Sequence, residues 1–451
     1  MNSAFRILLS IFTIMLIAPT GVLADNSQAS DDDTAALVFD QPLTLVELTD
    51  LALRRNAKTR LAWAAIRSSE AGVELARAGY WPQIDATVSA QRNRALNFSG
   101  LPSDIQSRYG ASVSLSYLLW DFGTRGGQLD EAKYALVSAS LSQDQTVQDV
   151  ILQVERAYYL VLGLQAVVEA NRQSLKDAET NLEATQGRKA SGLATLGDVY
   201  TAEAALAGAR LDLQRTEGLL AVARGELAGA LGASPDTLLP LAAWEQDATP
   251  ALPSQSVASL LADARSARPE LLAAKAQEQA AAASVQAARG RGLPSLNLNA
   301  NSGHTEVVDV GGSSQFSAQA SLNIPVFSGF GDRAAVHQAQ AQLDIARATT
   351  DDLRNQVELE VWQAYQTLRT SVATLDTTAA QLKSAQQASE VSTARYKSGL
   401  DTILDVLNAQ TTLANARVQQ VQARLSYAAA RAALGHAVGG LNAPAAMLET
   451  P

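Results

Sequence analysis

Residues 188–210 read RKASGLATLGDVYTAEAALAGAR. The stretch returns 207 positions later as RYKSGLDTILDVLNAQTTLANAR (395–417), with twelve of 23 positions identical and no gap. Repeats that build solenoids have periods of about 20–50 residues, so one this long marks a duplicated unit of about 200 residues. The match continues upstream. VERAY (154–158) returns as VWQAY (361–365) at the same spacing. ARAGYWPQI (76–84) answers ARGRGLPSL (288–296) at a spacing of 212, with Pro82 facing Pro294. Whatever this chain folds into, it must build it twice.

Each half opens with a helical stretch, Leu43–Gly79 and Val257–Arg289, stopped by Gly79 and Pro82 or by Gly292 and Pro294. The period then changes from 3.6 to 2. Ile84, Ala86, Val88 and Ala90 alternate with Asp85, Thr87, Ser89 and Gln91; Tyr109, Ala111, Val113, Leu115 and Tyr117 alternate with Gly110, Ser112, Ser114 and Ser116. In the second half Leu296, Leu298 and Ala300 alternate with asparagines, and Phe316, Ala318, Ala320, Leu322 and Ile324 alternate with Ser317, Gln319, Ser321 and Asn323. These patterns predict four amphipathic strands in two hairpins, about 82–120 and 294–327. LNFSGLPSDIQSR and SGHTEVVDVGGSSQ are expected as their loops.

Seven-residue spacing follows. Val147, Val154, Val161, Val168, Leu175 and Leu182 form one series, and Val361, Leu368, Leu375 and Leu382 its copy. The returning helices carry Val199, Leu206, Leu213, Leu220 and Leu227, and Val406, Leu413, Tyr427 and Leu434. Strict heptads imply left-handed supercoiling against neighbouring helices. A helix of some 60 residues is about 90–100 Å long at 1.5 Å per residue. The hairpin tips are expected at about 188–198 and 395–405, and GASPDTLLPLAAWEQDATPALPSQ (232–255), with four prolines, reads as a linker over 232–256 between repeats 43–231 and 257–440.

The N-terminus reads as a secretory leader, residues 1–24: Arg6, an apolar Ile7–Pro19 and the small-residue site Val22–Ala24. Residues 25–42, with Asp31–Asp33, read as a flexible mature N-terminus, and 441–451 as a C-terminal tail. Loss of the leader takes the formal charge from −10 to −11, which argues against a nucleic-acid partner. With no cysteine in the chain, a disulfide framework, a zinc–thiolate site and a lipidated N-terminal cysteine are excluded. The three histidines show no ligand spacing, and no phosphate loop, nucleophile elbow or HExxH occurs. No catalytic, cofactor or metal site is expected, and the chain does not read as an enzyme.

Beyond the leader, no eighteen consecutive residues are apolar, so any further membrane crossing must use strands. Four strands cannot close a barrel, and lipid does not tolerate an open sheet edge. Other chains are therefore needed, with apolar faces toward lipid and polar faces toward water. A small soluble sandwich on a coiled coil is the other reading of the strands.

The order of elements, the tip motif RYKSGLDTILDVLNAQ and the turns LLWDFGTR and IPVFSGFGDR together resemble the TolC family of outer-membrane efflux and secretion channels. The resemblance covers Leu43 to Gly440. It implies an α+β membrane protein, a homotrimer with a long α-helical coiled-coil barrel and a shared twelve-stranded β-barrel, in the outer membrane of a Gram-negative bacterium. It also implies docking on a periplasmic adaptor, which joins the channel to an inner-membrane pump, and export of substrates across periplasm and outer membrane. By resemblance, Gly192, Leu193, Gly399 and Leu400 are candidate adaptor-docking residues at the two tips; the alternative is that these leucines only pack locally. Asp405 aligns with an acidic constriction at the periplasmic entrance, the next ring position is Asn408, and Tyr396 matches a residue that holds the entrance closed. The basic partner position of that tyrosine is Asp401 here. N-capping is the other reading of Asp405, and its counterpart Asp198 reads as an N-cap or a solvated helix residue. The competing function is a periplasmic adaptor or other coiled-coil assembly protein without a pore. Such a protein carries one helical hairpin between β-rich domains, whereas strands interrupt helices twice here.

Overall fold

The computed structural model describes residues 41–94, 105–242 and 251–440. The leader, nearly all of the 25–42 segment, part of the first hairpin loop, the centre of the 232–256 linker and the tail lie outside the described residues.

Each half begins with two helices where the sequence suggested one. α1 (Leu45–Arg55) and α2 (Ala57–Ala78) part at Asn56; α5 (Val257–Ala267) and α6 (Pro269–Arg291) part at Arg268. Asn56 is extended, and its carboxamide oxygen caps α2 by accepting from Lys58 N at 2.8 Å. Arg268 is extended because a following proline excludes the helical region.

The strands are β1 (Gln83–Asn93), β2 (Gln106–Trp120), β3 (Ser295–Val307) and β4 (Gly311–Asn323), antiparallel in the order β1-β2-β3-β4. Most of the expected second loop is strand. Only Val308–Val310 turn, with Asp309 at φ 68° and Gly311 at φ 117°, and Gln106–Arg108 of the expected first loop already belong to β2. The register puts all apolar sets on one face. Ile84, Leu115, Ala300 and Ala318 form one row across the four strands, and Ala86, Val113, Ser302 and Phe316 the next. The opposite face carries rows such as Asp85, Ser114, Asn301 and Ser317. Among the described residues β1 and β4 each keep one unpaired edge.

Below the sheet run α3 (Thr124–Ala190) and α7 (Gly331–Lys397), 67 residues each, or about 100 Å. The returning helices α4 (Leu196–Ala230) and α8 (Ile403–Val438) have 35 and 36 residues. Gly232, at φ 75°, meets the break between α1 and α2: a Cβ there would stand 2.9 Å from the Arg55 carbonyl oxygen. Gly439, at φ 81°, meets the break between α5 and α6 in the same way, 3.1 Å from Ala267. Thus α4 abuts α2 and α8 abuts α6, and each pair makes an interrupted rod beside a 67-residue helix. Asn56 Nδ2 fastens one junction by donating to the Ala230 carbonyl at 2.9 Å.

Helix α3 packs on α2, α4, α6 and α8, and α7 packs on α6 and α8. The upper helices therefore run α2-α3-α6-α7 and the lower ones α4-α3-α8-α7, a row of four at each level, as in the sheet. Near the strands α3 and α6 approach so closely that a Cβ on Gly127 would lie 2.6 Å from Ala287 N. One apolar core joins α3 and α4 through Val150, Val154, Val161, Leu220 and Leu227; another joins α7 and α8 through Val357, Val361, Leu368 and Leu434. Part of α3 is apolar enough to cross a membrane, but half of that window is buried inside the chain.

The heptad expectation needs one correction. Val154, Val161, Val168, Val361 and Leu368 are buried, but Leu175, Leu182, Leu375 and Leu382 are only half-buried. Toward the tips the buried column passes to Ala178 and Thr185, and to Ser371, Thr378 and Ala385. Both columns belong to one heptad frame: Ala178 and Thr185 stand four and five heptads along from the buried Val150, Ser371 is two heptads along from Val357, and Ser389 and Tyr396 return to the column of Val361, so the lower seam draws on both columns. Small residues occupy it, and their hydroxyls are satisfied within the helix: Thr185 Oγ1 donates to Asn181 O at 2.8 Å and Ser371 Oγ to Thr367 O at 2.9 Å.

Candidate functional site

Both tips are built by the same local chemistry. Helix α3 ends at Ser191 and α7 at Ser398, each followed by a glycine in the left-handed region, Gly192 at φ 73° and Gly399 at φ 76°. Leu193 N donates to Arg188 O at 2.8 Å and Gly192 N to Lys189 O at 2.9 Å; Leu400 N donates to Arg395 O at 2.9 Å and Gly399 N to Tyr396 O at 3.0 Å. This six-to-one, five-to-two pairing satisfies carbonyls that a helix end leaves open and requires the glycine. Leu193 and Leu400 are 68% and 69% exposed.

The returning helices start with matched capping boxes. Thr195 and Thr402 are the N-caps, and Asp198 and Asp405 sit three residues on, reaching back to them. Neither aspartate is therefore an N-cap. Thr402 N and Oγ1 donate to Asp405 Oδ2 at 2.9 and 2.6 Å, and Asp405 N donates to Thr402 Oγ1 at 3.4 Å. These bonds from Thr402, and more weakly the Arg395 charge, hold the exposed Asp405 carboxyl below the usual aspartate range. Asn408 is exposed one turn further on, where its carbonyl accepts from Thr412 Oγ1 at 2.8 Å.

The tips differ where the two copies differ. Asp401 is not the partner of Tyr396: it takes Arg395 from its own turn, Nε to Oδ1 at 2.9 Å. The first tip has Ala194 at the aligned position, and Arg188, aligned with Arg395, crosses to the second tip instead. Its guanidinium carbon stands 4.5 Å from the Tyr396 ring centroid, and Nη1 donates to the Tyr396 carbonyl at 2.9 Å. Tyr396 is 8% exposed and packs with Ile403, Val406 and Leu407. The structure thus brings Tyr396 to the first tip and leaves Asp401 within the second. Sequence reasoning missed Arg188, although an arginine whose twin has a carboxylate partner that it lacks is a legible signal. Higher up the same seam, Asp177 pairs with Arg417 at 3.1 Å and Asn181 bonds to Gln410. Among the described residues no three His, Asp or Glu side chains gather as metal ligands.

Residues 48–233 and 260–440 match the outer membrane efflux protein family. Protein CyaE of Bordetella pertussis is 32% identical over 383 residues, 84% of this chain and 80% of its own. The outer membrane efflux protein BepC of Brucella suis is 28% identical over 397 residues, 87% of this chain and 84% of its own. Among solved structures, the outer membrane protein VceC of Vibrio cholerae superposes with a TM-score of 0.78 at 23% identity, over 88% of this chain and 96% of its own, a likeness of fold.

Proposed function

We propose, for a chain that belongs to the outer membrane efflux protein family, the role of passive channel-tunnel in a tripartite efflux pump or a type I secretion system. Three copies close the conduit in the outer membrane of a Gram-negative bacterium, as twelve strands above and helices below. The observation that carries this reading is the wall itself. Its sheet has one apolar and one polar face, β1 and β4 are unpaired at opposite edges, and the rows of helices below end at α2 and α4 on one side and α7 on the other. Lipid does not tolerate such open edges, so the edge of one copy pairs with the opposite edge of the next. The element lengths of the two halves nearly coincide, which supports duplication of one plan.

An aromatic collar supports the membrane seating. At the junction of strands and helices Trp81, Trp120, Phe122, Phe327 and Phe330 are all exposed. Phe122 and Phe330 adopt left-handed φ values of 51° and 65°, a costly backbone for a bulky residue, and both display their rings outward. Barrels place aromatic girdles at the headgroup level.

At the far end, Gly192, Leu193, Gly399 and Leu400 offer exposed apolar turns to the hairpin tips of a periplasmic adaptor, through which an inner-membrane pump is coupled. Three copies of Asp405 form a cation-attracting ring at the entrance, and Asn408 leaves the next ring position uncharged. The adaptor reading finds no support in the family match or in the four-stranded sheet.

Two measurements test this function. On fractionation the protein is expected with the outer membrane rather than in the osmotic-shock fluid. In planar bilayers the purified protein is expected to give discrete cation-preferring channels, with that preference reduced by Asp405→Ala. Shock release together with no conductance would overturn the reading.

A further inference from the structure

The strand register sorts the charges of the sheet. On its polar face only Asp85 and Arg108 are charged among the described strand residues; the rest are amides, hydroxyls, glycines and a few apolar side chains. Asp85 pairs with Ser114, toward the helices. Arg108 stands six residues further along β2, about 20 Å away at the usual rise. It lies in the last row where all four strands meet, with Gln91, Val307 and Gly311. Arg108 is exposed, and among the described residues no carboxylate pairs with it; its Nη2 is 3.5 Å from Gln106 Oε1. The acidic side chains described at this end stand elsewhere. Glu306 is on the opposite face, 3.6 Å from His304 Nε2, and Asp309 is in the turn between β3 and β4.

We propose that three Arg108 side chains, one from each copy, form an anion-binding ring at the mouth of the barrel farthest from the helices, and that the ring takes multivalent oxyanions of the polyphosphate class. The inference rests on the channel reading above and gives that conduit a second ring, opposite in charge to the Asp405 entrance. Twelve strands at the usual spacing and tilt enclose a lumen roughly 24 Å across between backbones, and three long side chains reach into it. Their like charges repel and have no carboxylate to neutralise them. An oxyanion relieves this repulsion, and each guanidinium fork donates two hydrogen bonds to it. Rings of basic side chains select anions in pores for the same reason. The Asp85 ring lies beyond the Debye length of about 8 Å at physiological salt, so it offsets little of this field.

The test is planar-bilayer conductance of the full-length protein with tripolyphosphate added to one side at a time, joined to calorimetric titration of the same preparation. Wild type is expected to be blocked from one side only, because the Asp405 ring repels the anion at the other, and to bind one anion per three chains. Arg108→Gln is expected to raise the blocking concentration about tenfold or more, through loss of charge-assisted hydrogen bonds. Gln91→Glu leaves Arg108 in place but sets a carboxylate opposite it in the same row, and is expected to weaken block in the same sense; should one of these variants fail to assemble, the other decides. Asp85→Asn is expected to be blocked as wild type is, within about twofold. Block and binding in Arg108→Gln or Gln91→Glu equal to wild type would overturn the inference, as would equal block from both sides or loss of block in Asp85→Asn. If wild type conducts no ions and binds no anion, the channel reading fails and the ring with it. Channels that tripolyphosphate does not block leave that reading standing and overturn the ring alone.

Discussion

At the first tip Arg188 lies across the ring of a residue in the other half; at the second, the aligned Arg395 is held by Asp401 of its own turn. The backbone around them is shared. Both turns have a left-handed glycine, the same paired carbonyl bonds and a threonine–aspartate capping box. The divergence comes from a few positions: Lys189 against Tyr396, Ala194 against Asp401, and Leu196 against Ile403. Ile403 is 5% exposed beneath Tyr396, whereas Leu196 is 49% exposed. A duplicated scaffold fixes where the turns stand, and a few unlike side chains decide which tip grips and which is gripped.

The sharpest contrast between the tips should come from that last pair. Ile403→Ala removes a buried anchor and is expected to lower tip stability by roughly 2–5 kcal/mol, read as the opening free energy of tip amides in hydrogen exchange. The matched change Leu196→Ala is expected to cost under about 1 kcal/mol, because an exposed side chain leaves no cavity. Equal losses would erase the distinction between the tips. Shared features should instead respond alike. Gly192→Ala and Gly399→Ala each force a left-handed alanine, at about 1–2 kcal/mol, and unequal costs would show that one turn is not what its backbone suggests. Thr195→Ala and Thr402→Ala should each cost about 1 kcal/mol by loss of a cap. The smallest effect is that of pH. Asp405 is depressed in the folded chain, chiefly by its bonds from Thr402. Its contribution is therefore fully present above the ordinary aspartate value of about 3.9 and is lost as pH falls through the lower folded value. Cation preference of the channel is expected to persist through mild acid and fade only below that range; loss near pH 6 would contradict the capping-box account.

Much of the wall could be read in the sequence because periodicity is physical. Alternation in IDATVSAQ and YGASVSLSY gave faces that the register then joined across four strands, and of the returning heptads Val199, Leu206, Leu220, Leu227, Val406, Leu413 and Leu434 are buried while Leu213 and Tyr427 are half-buried. What escaped was tertiary. The breaks at Asn56 and Arg268 arise where a second helix abuts from below, and only Pro269 hinted at one of them. The burial of Thr185, Ser371 and Thr378 in the α3 and α7 seams places small polar residues at heptad positions, which no hydrophobic count detects. At the tips the turn glycines were legible as local chemistry. The arginine over Tyr396 comes from 208 residues away, and its place depends on what Ala194 lacks.

The central claim is that the wall is completed by other copies, edge to edge. The chain has no cysteine, so introduced ones report without background. One is placed at Thr87 on β1, and a second is walked along the same polar face of β4 at Gln315, Ser317, Gln319 and Ser321. Within one copy two strands lie between them, a separation of about 14 Å at the usual strand spacing, beyond the roughly 4 Å that a disulfide allows between Cβ atoms. Oxidation in the membrane is expected to yield, at one or two of these positions, species of two and three chains and none larger. No intermolecular bond at any position, or a ladder running past three chains, would contradict the account.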